Sequence, residues 1–217
     1  MNNLLSILQE LKPSNTTLVA VSKTKPVEAI LEAYNAGQRI FGENKVQEMV
    51  EKYEALPKDI KWHLIGHLQT NKVKYIAPFV SLIQSVDSFK LLQEINKEAS
   101  KNNRVIDCLL QIHIAKEETK FGLSFDEAKE IILSPETKAL KNIKIVGLMG
   151  MATNTDNQEQ IREEFRCLHN FFLDSQFSTL NCQLSMGMSS DYKIAIEEGS
   201  NLVRIGSAIF GERNYNI

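Results

Sequence analysis

The chain has 217 residues, 43% of them hydrophobic and 24% charged, with a formal net charge of -2 at pH 7. This composition supports a substantial core, and the near-neutral charge argues against general affinity for nucleic acid or anionic membranes. The three cysteines are too widely spaced for a disulfide framework, and no stretch approaches the roughly 20 apolar residues that span a bilayer. The chain also begins without a signal-peptide pattern, so we expect a soluble cytoplasmic protein.

Strand-like and helix-like segments alternate along the chain. A short leading helix is predicted before Pro13, from the spacing of its leucines. The strand-like segments that follow are 18–23, 39–44, 61–67, 79–87, 107–114, 143–151, 183–188 and 201–211. Helical spacing follows the first seven of them, most clearly over 88–101, 125–133, 161–172 and 191–198. Eight such units predict a closed (β/α)8 barrel with an extra N-terminal helix, and a single domain over residues 1–217.

The alternative fold is an open, doubly wound sheet. Such a sheet usually carries a glycine-rich dinucleotide turn after its first strand. The residues at that point are Ser22, Lys23, Thr24 and Lys25, which do not form such a turn. We therefore favour the barrel.

Lys23 stands at the end of the first predicted strand. The apolar run before it is typical of a buried strand, and Pro26 suits the first turn of a helix. Since α/β proteins keep their chemistry at the carboxyl ends of strands, a partly desolvated amine here could form a Schiff base with a carbonyl. The positive charge of Lys25, two residues further on, would lower the pKa of Lys23 further. The alternative is an ordinary surface lysine.

Other polar residues end later strands, and in a barrel these ends converge on one face. They are Glu43, Asn44, His63, His67, Ser185, Arg204, Gly206 and Ser207. Glu43 and Asn44 could instead cap the next helix, and both histidines could be structural. Because the histidines have no third ligand at metal spacing, we predict no metal site.

The last two units indicate an anion site. Segments 185–189 and 204–207 place glycine and serine at strand ends, where backbone N–H groups and hydroxyls can approach a phosphate. A phosphate site combined with Lys23 suggests a phosphorylated carbonyl compound, either pyridoxal 5'-phosphate or the sugar-phosphate substrate of a Schiff-base aldolase. If Arg204 faced the barrel mouth, it could meet the pyridine nitrogen and keep it unprotonated. Strand alternation leaves the direction of Arg204 open.

Together these motifs resemble the YggS/PROSC family, the pyridoxal phosphate homeostasis proteins. The resemblance covers essentially the whole chain. The matching segments are 20–26, 41–44 with 47–48, 63–66 with 68–69 and 71–72, 120–122, 147–149, 184–189 with Asp191, and 203–206 with 210–211.

The resemblance implies a barrel like the N-terminal domain of alanine racemase, with pyridoxal 5'-phosphate held at the strand ends. Lys23 would carry the internal aldimine, Arg204 would face the ring nitrogen, and Asn44 and His67 would lie near the cofactor. The phosphate would be held by Ser185, Gly206 and Ser207, the last of which is often threonine in the family. The family binds, buffers and delivers this form of vitamin B6 without established turnover, which implies apoenzymes that depend on the cofactor as recipients.

An amino-acid racemase is the main alternative. Racemases of this fold take a second base, commonly a tyrosine, from an additional β domain, and we expect none here because the sequence stops at Ile217, after the eighth unit. The sequence contains Tyr192 and Tyr215, but no sequence pattern places either tyrosine opposite Lys23. A Schiff-base aldolase and a pure interaction scaffold are weaker alternatives. We expect a monomer, since no assembly segment stands out.

Lys25 has two interpretations. It could accept the cofactor aldehyde from Lys23 and help to transfer it, or it could only tune the pKa of Lys23 or contact solvent.

Overall fold

The structure is a computed structural model, which describes residues 2–117, 121–175 and 182–212. Its eight strands are parallel and close into a barrel in strict chain order. They are β1 (Thr17–Val21), β2 (Ile40–Glu43), β3 (Lys61–Leu64), β4 (Leu82–Val86), β5 (Ile106–Ile112), β6 (Ile143–Gly150), β7 (Gln183–Ser185) and β8 (Leu202–Ile205). The predicted barrel is therefore confirmed.

Helices connect successive strands. They are α1 (Asn2–Leu11), α2 (Val27–Asn35), α3 (Val46–Ala55), α4 (Val73–Ile76), α5 (Phe89–Lys101), α6 (Phe125–Leu133), α7 (Pro135–Ala139), α8 (Gln158–Asp174), α9 (Tyr192–Glu197) and α10 (Ser207–Phe210). The predicted leading helix is α1, which buries Leu4, Ile7 and Leu11. Within the described ranges, no helix is long and apolar enough to cross a membrane.

Successive side chains of a strand point to opposite faces, and this alternation divides the core. Leu18 and Ala20 belong to the main core between the sheet and the helices. Val19 belongs to a smaller cluster inside the barrel, with Leu82, Leu109, Met149 and Leu202. The same alternation places Arg204, two residues after Leu202, on the inner face of β8.

Barrel closure joins the two ends of the sequence. β1 pairs with β8, and Val19 lies opposite Arg204 in the register. Residues that follow the first strand and residues that follow the last therefore reach the same edge of the barrel. Here the candidate site is built.

Candidate functional site

A cavity of about 460 Å³ opens at the carboxyl ends of the strands. It is lined by residues near the ends of β1 and β5, by residues that follow β1, β2, β3, β5, β6 and β7, and by β8 and the start of α10. Of the predicted site residues, it brings together Lys23, Asn44, Arg204, Gly206 and Ser207. We expected nine polar residues at strand ends to converge on this face, and six of them line the cavity, because His67 does so as well. Glu43, His63 and Ser185 do not.

Ser185 does not line the cavity but lies beneath it and has no exposed surface. Its hydroxyl donates to Gln84 Oε1 at 2.7 Å and accepts a hydrogen bond from Arg204 Nη1. A hydroxyl has one proton to donate, and an anion requires that proton. In the structure Ser185 therefore supports Arg204. That Ser185 also holds a phosphate stays a prediction.

Arg204 lines the cavity from inside the barrel, which decides the direction that the sequence left open. Its Nη1 donates to Ser185 Oγ, and its Nη2 donates to the carbonyl oxygen of Gly150 at 2.9 Å. Burial lowers the pKa of Arg204 to about 10, so the guanidinium stays charged at neutral pH. A fixed positive charge thus faces the cavity.

A buried polar chain continues behind Arg204. Gln84, which accepts from Ser185, donates from Nε2 to His63 Nδ1 at 3.0 Å. Burial lowers the pKa of His63 to about 3, so this histidine is neutral and its Nδ1 can accept. His63 thus has the structural role that we considered for it, as a member of the layer below the cavity.

The turn that carries Lys23 lies between β1 and α2. Ser22 and Glu43 face the helix side of the sheet, where the Ser22 hydroxyl donates to Glu43 Oε1 at 2.6 Å. Both side chains are fully buried, and burial raises the pKa of Glu43 to about 6. Glu43 is therefore turned away from the cavity that Lys23 lines.

Lys25 also lines the cavity, but its ammonium is engaged at the rim. Nζ donates to the carbonyl oxygens of Phe210 at 2.9 Å and Glu212 at 2.8 Å. Lys25 thus connects the turn after β1 to the end of α10. Its expected effect on the pKa of Lys23 stays a prediction.

Ser189 and Ser190 line the cavity and were missing from the predicted site. Ser189 Oγ accepts hydrogen bonds from the backbone N–H groups of Gly206, at 3.2 Å, and Ala208, at 3.4 Å. A Cβ on Gly206 would lie 3.1 Å from the Val21 carbonyl oxygen, so glycine allows this turn to approach β1 closely. The 185–189 motif, from which Ser185 was chosen, was the sequence signal that could have identified Ser189.

We define residues 189, 190, 206 and 207 as the anion cradle. It combines three hydroxyls at the start of α10, and the Ser189 hydroxyl, which accepts from the N–H groups of Gly206 and Ala208, keeps its own proton for a ligand. These are the donors that a phosphate group requires.

His67 and Phe121 also line the cavity. Their rings stack with centroids 4.4 Å apart and planes inclined by 17°. Asp87 orients the histidine, since its Oδ2 lies 3.0 Å from His67 Nδ1. Sequence reasoning placed His67 near the site but missed the stacking partner. Lys120, which precedes Phe121 in the matched motif, lies outside the described residues.

Asn44 lines the cavity after β2, and its backbone is held by the close approach of Gly66. A Cβ on Gly66 would lie 2.5 Å from the Asn44 carbonyl oxygen, so any larger residue would push the two loops apart. Across the ranges that the structure describes, histidine, cysteine and acidic residues form no group of three that could hold a metal ion.

Tyr192, the described tyrosine that we considered as a racemase base, belongs to α9 and is absent from the cavity wall. Its hydroxyl donates to Glu10 Oε2 at 2.7 Å. Burial and this carboxylate raise the pKa of Tyr192 to about 12. Tyr215 lies outside the described residues.

A parallel barrel with a lysine after its first strand and an anion cradle after its last two defines a class of protein. The family model described as "Alanine racemase, N-terminal domain" matches residues 1–214. The alanine racemase of Bartonella henselae shares this fold with a TM-score of 0.71 at 17% identity, covering 100% of this chain and 61% of that one.

Proteins with higher sequence identity to this chain identify the family within this fold class. A pyridoxal phosphate homeostasis protein of Aquifex aeolicus is 46% identical over 201 residues, covering 91% of this chain and 87% of the relative. The Homo sapiens protein of that name is 40% identical over 219 residues, covering 92% and 77%. The structure of PipY from Synechococcus elongatus without PLP has a TM-score of 0.89 at 35% identity, covering 97% and 99%. The chain belongs to the pyridoxal phosphate homeostasis protein family, which confirms the resemblance seen in the sequence.

Proposed function

We propose that this protein binds pyridoxal 5'-phosphate in the cavity and buffers or delivers it without turning over a substrate. The observation that carries the proposal is the presence of Lys23, Arg204 and the anion cradle around one cavity. The structure of PipY with PLP bound is similar to this one, with a TM-score of 0.86 at 35% sequence identity, and this likeness supports the same ligand here. The cavity volume lies in the range of small-molecule sites.

The residues present fit the cofactor group by group. Its phosphate matches the donors of the anion cradle, and its aldehyde requires a primary amine, which Lys23 supplies. Its ring nitrogen matches the Arg204 guanidinium, whose position is fixed by Ser185 and Gly150. When bound, the cofactor supplies an aldehyde that condenses with amines and a ring that can withdraw electrons.

Two residues bear on whether the bound cofactor would be used for catalysis. A guanidinium that keeps its charge donates to the ring nitrogen and opposes its protonation. An unprotonated ring withdraws electrons poorly, which disfavours most carbanion chemistry. Tyr192, held by Glu10, offers no second base at the cavity. These observations support a protein that retains the cofactor and does not use it for catalysis.

The remaining assignments are part of the same proposal. The chain acts as a single domain over residues 1–217 and as a cytoplasmic monomer. The recipients of the cofactor are apoenzymes that depend on pyridoxal 5'-phosphate.

A transfer assay tests this function. The loaded protein is mixed with an apoenzyme that requires the cofactor, and recovered apoenzyme activity is followed beside an assay for racemisation of alanine. We expect reactivation and no racemisation above a blank that contains free cofactor. Racemisation that requires Lys23 would replace the carrier with the racemase, and failure to load any cofactor would remove both.

A further inference from the structure

A buried group of charges lies behind the turn that carries Lys23, on the side of the sheet away from the cavity. Lys52 of α3 donates from Nζ to Glu43 Oε1, Glu48 Oε1 and the Ser22 carbonyl oxygen, each at 2.7 Å. An ammonium has three donors, and all three are used here. The side chains of Lys52 and Glu43 are 6% and 0% exposed. We call Glu43, Glu48 and Lys52 the rear cluster.

The rear cluster holds the turn on both sides of Lys23. On one side, Ser22 donates its hydroxyl to Glu43 at 2.6 Å and offers its carbonyl oxygen to Lys52. On the other side, the backbone N–H of Thr24 donates to Glu48 Oε1 at 2.5 Å. Lys23 is therefore the residue between two fixed neighbours.

The backbone at Thr24 needs such support. Its φ of 63° lies in the left-handed region, which is unfavourable for a β-branched residue. A conformation of this kind persists when the surrounding contacts impose it. The hydrogen bond from the Thr24 N–H to Glu48 is a contact of this kind.

We propose that the rear cluster positions Lys23 for its bond to the cofactor, with Lys52 as the central positioning residue. None of the three residues lines the cavity, so they act through the turn and not through the ligand. Buried ion pairs contribute little net stability, and their best-supported use is to specify one conformation. The inference rests on the proposed function, because a fixed position of Lys23 has a role only if Lys23 bonds to the cofactor.

Lys52→Met is the main test, since it removes the charge and keeps an unbranched side chain. Lys101→Met is the matched control, because Lys101 pairs with Glu98 on α5 with its ammonium largely exposed. In the ligand-free protein, we expect faster deuterium exchange at the Thr24 amide in Lys52→Met than in the wild type or the control. Unchanged exchange at Thr24 would overturn the proposal without any reference to the cofactor.

Two ligands then separate positioning from general damage to the cavity. Pyridoxine 5'-phosphate has the same ring and phosphate as pyridoxal 5'-phosphate but an alcohol in place of the aldehyde. In Lys52→Met we expect the affinity for pyridoxal 5'-phosphate to fall roughly tenfold, with the affinity for the alcohol unchanged. Equal losses for both ligands, or no loss for either, would contradict a positioning role. A wild type that binds neither would reject the proposed function, while the exchange measurement still decides whether the cluster holds the turn.

Glu48→Gln provides a second variant if Lys52→Met does not fold. Glu48 is 22% exposed, and glutamine keeps its size and an oxygen acceptor. We expect a smaller change of the same kind, with faster exchange at Thr24 and a selective loss of affinity for the aldehyde. A Glu48→Gln protein identical to the wild type in both measurements would overturn the proposal.

Discussion

Arg204 is positioned by residues that do not line the cavity. Ser185 accepts one of its N–H groups and the Gly150 carbonyl accepts another, while Gln84 holds Ser185 in place. The sequence identified Arg204 and Ser185 as site residues, because both stand at strand ends. It could not separate a direct ligand from a supporting residue, since this depends on which strand face points inward and how far each side chain reaches.

Glu43 leads to a prediction about stability and pH. Burial raises its pKa to about 6 in the folded protein, from an ordinary value of 4.5. The folded state therefore binds more protons than the unfolded state between these values, so this group adds stability as the pH falls. A difference of about 1.5 pH units corresponds to about 2 kcal/mol. Glu43 Oε2 has no hydrogen-bond partner among the described residues and can take the proton.

The measurement is the free energy of unfolding of the wild type and Glu43→Gln at several pH values. We expect the wild type to gain about 1.5 kcal/mol relative to the variant between pH 7 and 4.5, and the full amount of about 2 kcal/mol only at lower pH. Lys52 and Glu48, the charged groups beside Glu43, are present in both proteins. If the difference in the free energy of unfolding between the two proteins did not change with pH, burial would not raise the pKa of Glu43. Glu94→Gln is the control, because the Glu94 side chain is 27% exposed and pairs with Lys97 on the same helix.

At the scale of elements, the site depends on turns more than on strands. β1 ends at Val21, two residues before the predicted end, because the turn through Thr24 begins there. The predicted strand segment 201–211 contains β8 and also α10, whose apolar residues resemble a strand continuation in sequence. α8 begins at Gln158, before the predicted start at residue 161, because Asn157 caps it and periodicity marks only buried residues. Local pattern therefore predicted the elements better than the turns between them.

The turn between β8 and α10 provides a prediction at this scale. In Gly206→Ala, the new Cβ would lie 3.1 Å from the Val21 carbonyl oxygen and 3.2 Å from Val21 Cβ, so the turn must move away from β1. We expect the affinity for pyridoxal 5'-phosphate to fall roughly tenfold, because the anion cradle moves with the turn. Affinity for pyridoxal, which lacks the phosphate, should not change. Equal losses for the two ligands would place the phosphate elsewhere.

At the scale of the whole molecule, barrel closure creates the site. Pairing of β1 with β8 brings Lys23 and the 204–207 segment to one cavity, although the whole barrel separates them in sequence. Eight alternating strand and helix segments were enough to predict a closed barrel. A closed barrel was in turn enough to predict that the carboxyl ends of the strands lie on one face. The rear cluster was not predicted, because its contacts join β1, β2 and α3 through side chains whose partners no local pattern specifies.

The most direct test of the account is to locate the covalent attachment of the cofactor. The protein is incubated with pyridoxal 5'-phosphate and reduced with borohydride, and the modified lysine is identified by peptide mass spectrometry. We expect the label on Lys23, and no reducible visible absorbance band in Lys23→Ala. Lys97→Ala, which removes an exposed lysine of α5, should behave as the wild type does. A label on another lysine, or a band that persists in Lys23→Ala, would contradict the account.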